Sequence, residues 1–183
     1  WDDDRIALTL FARFAAPQVR LTKDPNTFFF FLDHLREQSP FPIEEETSWD
    51  TNIELGIYWG MRVIEKDEEL RGKSRNAPTF VLITDGQAWS GTVEKSLKLA
   101  RARSIPVVVV GVGTLSGGII PEPPMLLPEG MSEPPPVSSA LDRASLTRIA
   151  TASGGEYFEL DRDSDVNLAN RIVAAARRRV VAL

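Results

Sequence analysis

Residues 80 to 86 read Phe-Val-Leu-Ile-Thr-Asp-Gly, and residues 105 to 112 read Ile-Pro-Val-Val-Val-Val-Gly-Val. A strand with one wet face alternates apolar and polar residues. An unbroken apolar run of strand length is instead buried on both faces. Between the two runs, Val93, Leu97 and Ala100 recur at helical spacing. Strand, helix and strand in that order make a parallel crossover unit. Sheets of this kind bind ligands outside the carboxyl ends of their strands. Asp85 stands at such an end, and Gly86 lets the backbone turn sharply there. Two readings of Asp85 follow: a carboxylate aimed at a metal or ligand, or a residue that opens a turn or caps the next helix.

Composition narrows the classes of function. The chain has 183 residues, enough for one domain with a sizeable core. It is 43% hydrophobic and 26% charged, the balance of a folded globular protein. A net charge of −5 argues against nucleic acid as the main partner. With no cysteine there is no disulfide, zinc-thiolate site or cysteine nucleophile. His34 is the single histidine, so multi-histidine metal sites are excluded and a serine–histidine pair is disfavoured. No apolar run approaches the roughly 18 residues needed to span a bilayer.

The remaining segments fit around the crossover unit. Residues 5 to 14 read as a strand apolar on both faces, and 18 to 22 as a half-exposed strand joined to it in a short antiparallel hairpin. Residues 25 to 38 are helical, with Pro25 in the first turn. The Phe28 to Phe31 run requires part of that helix to be covered. Residues 39 to 49 form a polar loop with the acidic run Glu44-Glu45-Glu46. Asp50-Thr51 offers helix-capping chemistry. Ile53, Ile57, Met61 and Ile64 then give a buried helical face down to about Lys66. Residues 113 to 140, with Gly113, Gly117, Gly118 and many prolines from 121 to 136, form a long irregular insertion with room for a small hairpin. Helices are expected over 142 to 153, stopped by Gly154-Gly155, and from 164 to about 178, with Val166, Ala169, Ile172, Val173 and Ala176 inward. A short strand over 156 to 160 separates them.

Several segments together resemble the von Willebrand factor type A domain. They are Trp49-Asp50-Thr51-Asn52-Ile53, Val81-Leu82-Ile83-Thr84-Asp85-Gly86, Val109-Val110-Gly111-Val112-Gly113-Thr114 and Ser139-Ala140-Leu141-Asp142. Leu146-Thr147-Arg148-Ile149-Ala150 and Gly154-Gly155-Glu156-Tyr157-Phe158 complete the set and look most like the bacterial aerotolerance (Bat-type) branch. The resemblance covers nearly the whole chain. It implies a three-layer, doubly wound α/β domain over residues 1 to 183. The sheet is mostly parallel with one antiparallel edge strand, and 113 to 140 is an inserted loop. It also implies a protein-interaction module rather than an enzyme. In the family a divalent cation, usually magnesium, sits in a metal-ion-dependent adhesion site and accepts an acidic group from a protein partner. By matching position, Thr51 and Asp85 are the threonine and aspartate of that site. Magnesium takes about six oxygen ligands and keeps several waters, which a hydroxyl and a carboxylate suit.

The sequence departs from the family in two places. No Asp-x-Ser-x-Ser occurs anywhere in it, although that loop supplies most of the family's ligands after a central first strand. The segment at 4 to 11 matches the family's second strand. The first strand is therefore expected to be missing here, leaving strands 5–12 and 79–84 without direct hydrogen bonds to each other until a further strand fills the slot. Unpaired buried backbone groups cost roughly 1–3 kcal/mol each. Trp49-Asp50 stands where the family more often has glycines; Asp50 is either an added acidic contact or an N-cap. Trp49, Asp50, Gln87 and Trp89 are candidate partner contacts at the same sheet edge, with covering a loop against the core as the other role for both tryptophans. Trp59 is expected to pack, and His34 to be partly exposed. Arg177-Arg178-Arg179 complements a helix dipole. Bat-type relatives are often membrane-anchored, so Val180-Val181-Ala182-Leu183 is a candidate start of a tether. The rival readings are a metal-free scaffold and a metal-dependent hydrolase using Asp85, the latter without an evident base.

Overall fold

Four valines and a glycine, Val107–Gly111, are buried without exception, and the fold is arranged around them. The computed structural model describes residues 4–37, 51–74, 76–88, 91–120, 136, 138–162 and 164–177. Its elements in chain order are β1 (Ile6–Phe11), β2 (Ala15–Thr22), α1 (Pro25–Glu37), α2 (Ile53–Arg71), β3 (Phe80–Thr84), α3 (Val93–Ala102), β4 (Val107–Gly111), β5 (Gly118–Ile119), β6 (Ser138–Ser139), α4 (Arg143–Ser153), β7 (Tyr157–Glu159) and α5 (Asp165–Arg177). The chain is therefore an α/β protein with a parallel central sheet in the order β3-β4-β7 and antiparallel pairs beside it. β3 runs parallel to β4 from Phe80 opposite Val107 to Thr84 opposite Gly111. β7 takes the other side of β4, with Val109 opposite Tyr157.

Alternation along β4 explains why its sequence is apolar throughout. Val107 and Val109 enter a core with Ile53, Ile57 and Met61 of α2, Leu97 and Ala100 of α3, and Leu146 and Ile149 of α4. Val108 and Val110 enter a second core with Phe158, Leu168 and Ala175. Each such side chain contributes about 1.5–3 kcal/mol of burial. α4 is fixed to β4 by two backbone-level contacts. Ser153 Oγ accepts from the Val107 N–H at 3.0 Å. At Gly155 an added Cβ would lie 2.0 Å from the Val107 carbonyl oxygen, so no side chain fits there.

Several helix details differ from the sequence expectation. α2 runs to Arg71, beyond the apolar stripe that ends near Lys66. Its last turns are held by charge: Arg62 with Glu65, Lys66 with Glu69, Arg71 with Asp67, and Glu68 with Arg103, the C-cap of α3. Its N-cap is Asn52, whose Oδ1 accepts from the Leu55 N–H at 3.0 Å, not Asp50-Thr51. On α5 the buried residues are Leu168 and Ala175, while Val166 is 70% exposed. The helix carries two apolar stripes, and the one through Leu168, Ile172 and Ala175 meets β4 and β7. Trp59 lies at an exposed position, edge to face with Tyr58. On α1, Phe28 and Phe31 are half-buried, but Phe29 and Phe30 are mostly exposed. His34, also exposed, stacks on Phe30.

Among the described residues β1 pairs with β2 alone, and no ladder joins β1 to β3, as expected from the sequence. A groove of about 480 Å³ separates them, lined among others by Ile6, Leu8, Phe11, Phe80 and Leu82. α2 floors the groove. An added Cβ at Gly56 would meet the Phe11 ring at 2.8 Å, and one at Gly60 the Phe80 ring at 2.7 Å. Each glycine costs the helix about 1 kcal/mol relative to alanine, and in return one aromatic ring from each side of the groove lies against the helix backbone. The Arg5–Asp67 ion pair, with little solvent access to either side chain, adds a tie between β1 and α2. Phe80 donates to Pro106 and Thr84 accepts from Val112, so these residues face β4. By alternation the backbone groups of Val81 and Ile83 face the groove.

A polar clamp joins α4 to β7. Glu159 accepts from Arg143 Nε and Nη2 and from the Tyr157 hydroxyl at 3.1 Å, and forms an ion pair with Arg162 Nε at 2.8 Å. The Arg143 hydrogen bonds hold its carboxyl below the ordinary value of 4.5, against the opposing effect of burial. Asp142, the N-cap of α4, is also held below its ordinary 3.8, first by the Ser145 side chain and then by the Ser145 N–H.

Three outcomes are expected. Gly155→Ala destabilises the chain by about 3 kcal/mol in urea denaturation, since backbone must move to admit the methyl group. In native-state hydrogen exchange, the Val81 and Ile83 amides exchange faster than those of Leu82 and Val109. A depressed carboxylate stabilises fully above its unfolded value and loses that contribution as pH falls through its folded one. The melting-temperature gap between wild type and Glu159→Gln is therefore full well above pH 4.5 and closes below it.

Candidate functional site

The carboxyl end of the parallel sheet is built by the turn after β3. The Gly86 N–H donates to Thr84 Oγ1 at 3.2 Å, and Gly86 adopts φ 87°, a conformation that favours glycine. The turn is pressed onto α4: an added Cβ at Gly86 would lie 2.7 Å from Leu146 Cγ and 3.1 Å from the Asp142 carbonyl oxygen. Glycine is thus required for both its backbone angle and its lack of a side chain.

Asp85 is half-buried at this edge and held by three parts of the chain. Its carbonyl accepts from the Asp142 N–H at 2.8 Å. Its Oδ1 accepts from the Gln87 N–H at 3.2 Å, the contact by which an aspartate shapes its own turn. Its Oδ2 accepts from the Ser139 hydroxyl. Asp85 therefore opens the turn with one oxygen while the other is held by a distant serine. The two readings of its sequence position are not exclusive. Ser139 was not legible as a site residue. It lies 54 positions downstream within the glycine- and proline-rich segment, where no periodicity places a side chain.

Thr51 is half-buried, immediately before the cap residue Asn52. The Asn52 N–H donates to the Ala12 carbonyl at 2.8 Å, which anchors the start of α2 to the β1–β2 turn. Because Asn52 caps the helix, Thr51 does not. Among the described residues no hydrogen bond joins Thr51 to Asp85. The loops that carry them meet further along. An added Cβ at Gly91 would lie 2.7 Å from Asn52 Oδ1 and 3.0 Å from Glu54 Oε2. Glu54 Oε2 accepts from the Thr92 N–H at 2.6 Å, and the Glu54 carbonyl from the Ser96 hydroxyl at 2.8 Å. Glu54 thus serves the start of α3, where Thr92 makes no side-chain cap. Of the proposed partner contacts, Gln87 is half-buried beside Asp85. Trp49, Asp50 and Trp89 lie outside the described residues, as do the acidic run at 44 to 46 and the end of the chain after 177.

The side-chain atoms that meet at Asp85 and could ligate a metal, its own carboxylate and the Ser139 hydroxyl, are oxygens, the chemistry that suits magnesium or calcium and not soft metals. Among the described residues no three His, Cys, Asp or Glu side chains converge to hold an ion. One carboxylate and a hydroxyl fit part of the shell of a largely hydrated magnesium ion, which needs few protein ligands.

The sequence profile of the von Willebrand factor type A domain matches residues 2–171. No curated protein matches the chain. Among solved structures, it is similar to an aerotolerance-related membrane protein from Bacteroides fragilis, at 22% identity and a TM-score of 0.76, covering 97% of this chain and 81% of that one. It is also similar to the conserved hypothetical protein BatB from Bacteroides thetaiotaomicron, at 22% identity and a TM-score of 0.73, covering 100% and 82%. A third likeness is to proximal thread matrix protein 1 of the mussel byssus, at 13% identity and a TM-score of 0.56, covering 94% of this chain and 35% of that one. At these identities the structures speak for the fold. Among the described residues no helix is long and apolar enough to cross a membrane. With its profile match over 2–171 and a β3–β4–β7 sheet ending in the Asp85 turn, the chain belongs to the von Willebrand factor type A domain family.

Proposed function

We propose that the chain binds a protein partner at the carboxyl edge of its parallel sheet, through a divalent cation that takes an acidic group of that partner. Domains of this family are commonly protein-interaction modules. The observation that supports it best is the posture of Asp85: a carboxylate at a strand end, half-buried, with its orientation fixed by Gln87 and Ser139. A side chain serving only as a turn former needs the first of those bonds and not the second.

In this reading Asp85 and Thr51 supply oxygens to magnesium, several of them through water, and one coordination position stays open for the partner's carboxylate. Asp85 provides charge, and the Thr51 hydroxyl provides a neutral donor. Trp49, Asp50, Gln87 and Trp89 are proposed as the rim that contacts the partner. The proposal concerns binding, not turnover. The groups hydrogen-bonded to the Asp85 carboxylate are an amide and a hydroxyl, and neither is a general base at neutral pH. A bacterial, membrane-associated setting belongs to the same proposal.

Calorimetric titration with magnesium chloride tests it, read beside the melting temperature. Wild type is expected to bind with a rise in melting temperature, and Asp85→Asn to bind about tenfold more weakly or worse. Neither heat nor thermal shift in wild type would leave a metal-free scaffold as the function.

A further inference from the structure

Resting on that cation site, we propose that Ser139 is a further oxygen ligand of it, and that through Ser139 the β5–β6 stem closes on the ion. The Ser139 hydroxyl donates its hydrogen to Asp85 Oδ2. A hydroxyl that has given its hydrogen away presents both lone pairs outward. Beside an anionic carboxylate its oxygen is polarised toward negative charge. The pair is then two hard oxygen donors at hydrogen-bond separation. A cation that binds both need not break the bond between them. Nothing in the local sequence asks for this contact: the Asp85 turn is already closed by the Gln87 N–H.

The backbone fixes the serine as firmly as the aspartate. Ser139 pairs with Gly118 across the β5–β6 stem. Gly117 packs on it so closely that an added Cβ would lie 2.8 Å from the Ser139 carbonyl oxygen. Two residues on, the Leu141 N–H donates to the Thr114 carbonyl at 2.9 Å, and that carbonyl also accepts from Gly117 at 3.1 Å. One residue further, the Asp142 N–H holds the Asp85 carbonyl. The segment from Ser139 to Asp142 therefore grips Asp85 at side chain and backbone together. The stem's only described cross-strand pairs are Gly118–Ser139 and Ile119–Ser138, so its own stability is small. An ion bound between Asp85 and Ser139 adds a contact that bridges the stem to β3, and the stem's opening becomes linked to ion occupancy.

The test uses Ser139→Ala and Ser139→Thr in the whole chain, with magnesium chloride and manganese chloride as the probes. Calorimetry reads magnesium affinity, and manganese electron paramagnetic resonance reads bound against free ion. Hydrogen exchange reads the stem amides. Ser139→Ala is expected to weaken magnesium about tenfold, while Ser139→Thr, which keeps the hydroxyl, restores most of the affinity. Magnesium is expected to slow exchange at Ile119 and Ser139 in wild type and not in Ser139→Ala. If Ser139→Ala binds as tightly as wild type, with or without a lower melting temperature in the absence of metal, the serine is a structural latch and the inference fails. If Ser139→Thr binds as weakly as Ser139→Ala while both remain folded, the hydroxyl is not the ligand. If wild type itself binds neither ion, the cation reading fails and takes this inference with it.

Discussion

β4 has no face that meets water, and that constraint organises everything around it. A strand buried on both sides can be satisfied only by a layer on each side. Val107 and Val109 call for α2, α3 and α4, and Val108 and Val110 call for α5. The strand also needs a neighbour along each edge for its backbone groups, supplied by β3 and β7. One close approach follows directly: Gly155 lies against the Val107 carbonyl because β7 must enter the sheet immediately after α4 ends. Gly154 closes that helix in the left-handed conformation, with φ 76°. Two adjacent glycines thus do separate jobs, one angular and one steric.

The β1–β2 hairpin depends on a different device. Among the described residues it has no ladder to the parallel sheet, and its position is set by packing against α2. Gly56 and Gly60, one turn apart, admit Phe11 from one bank of the groove and Phe80 from the other. The Arg5–Asp67 pair and the Asn52 N–H to Ala12 carbonyl bond hold the hairpin at its two ends. Packing and polar ties do here what hydrogen-bonded pairing does elsewhere in the sheet. The opposite face of β3 is thinly covered: Val81 and Ile83 are 45% and 62% exposed, although their sequence is that of a strand covered on both faces.

Legibility followed the length and regularity of each signal. The runs at 80 to 84 and 107 to 111 were plain in the sequence because continuous apolarity at strand length has few other solutions. The parallel crossover followed from the helix between them. α2 was found but ended too early, because its last turns are stabilised by ion pairs that leave no apolar period. On α5 the expected inward face is right at Ile172 and wrong at Val166, Ala169 and Val173, because Val166 and Val173 offer a second stripe that only the position of β4 decides against. Asn52 was passed over as a cap because Asp50 and Thr51 are equally good capping residues in sequence, and the choice rests on where Ala12 lies. For the site, Asp85 was visible as a carboxylate closing a buried strand. Ser139 was not, since an irregular segment with many prolines gives no rule for which of its hydroxyls returns to the sheet.

The chemistry at Asp85 is limited by charge. The carboxylate brings a single formal negative charge and the Ser139 hydroxyl bonded to it brings none, and magnesium gives up water reluctantly for so little. On the proposed reading the ion is therefore held weakly by the domain alone, and a partner's carboxylate supplies the second charge that makes inner coordination favourable. Linkage then requires that ion and partner strengthen one another by the same factor. A hydroxyl such as that of Ser139 suits this arrangement better than another aspartate would. It adds a donor oxygen and fixes the geometry of Asp85, but it does not neutralise the ion. The ion keeps enough positive character to discriminate an acidic partner from a neutral one. A site with several carboxylates of its own would bind the cation more tightly and select its partner less.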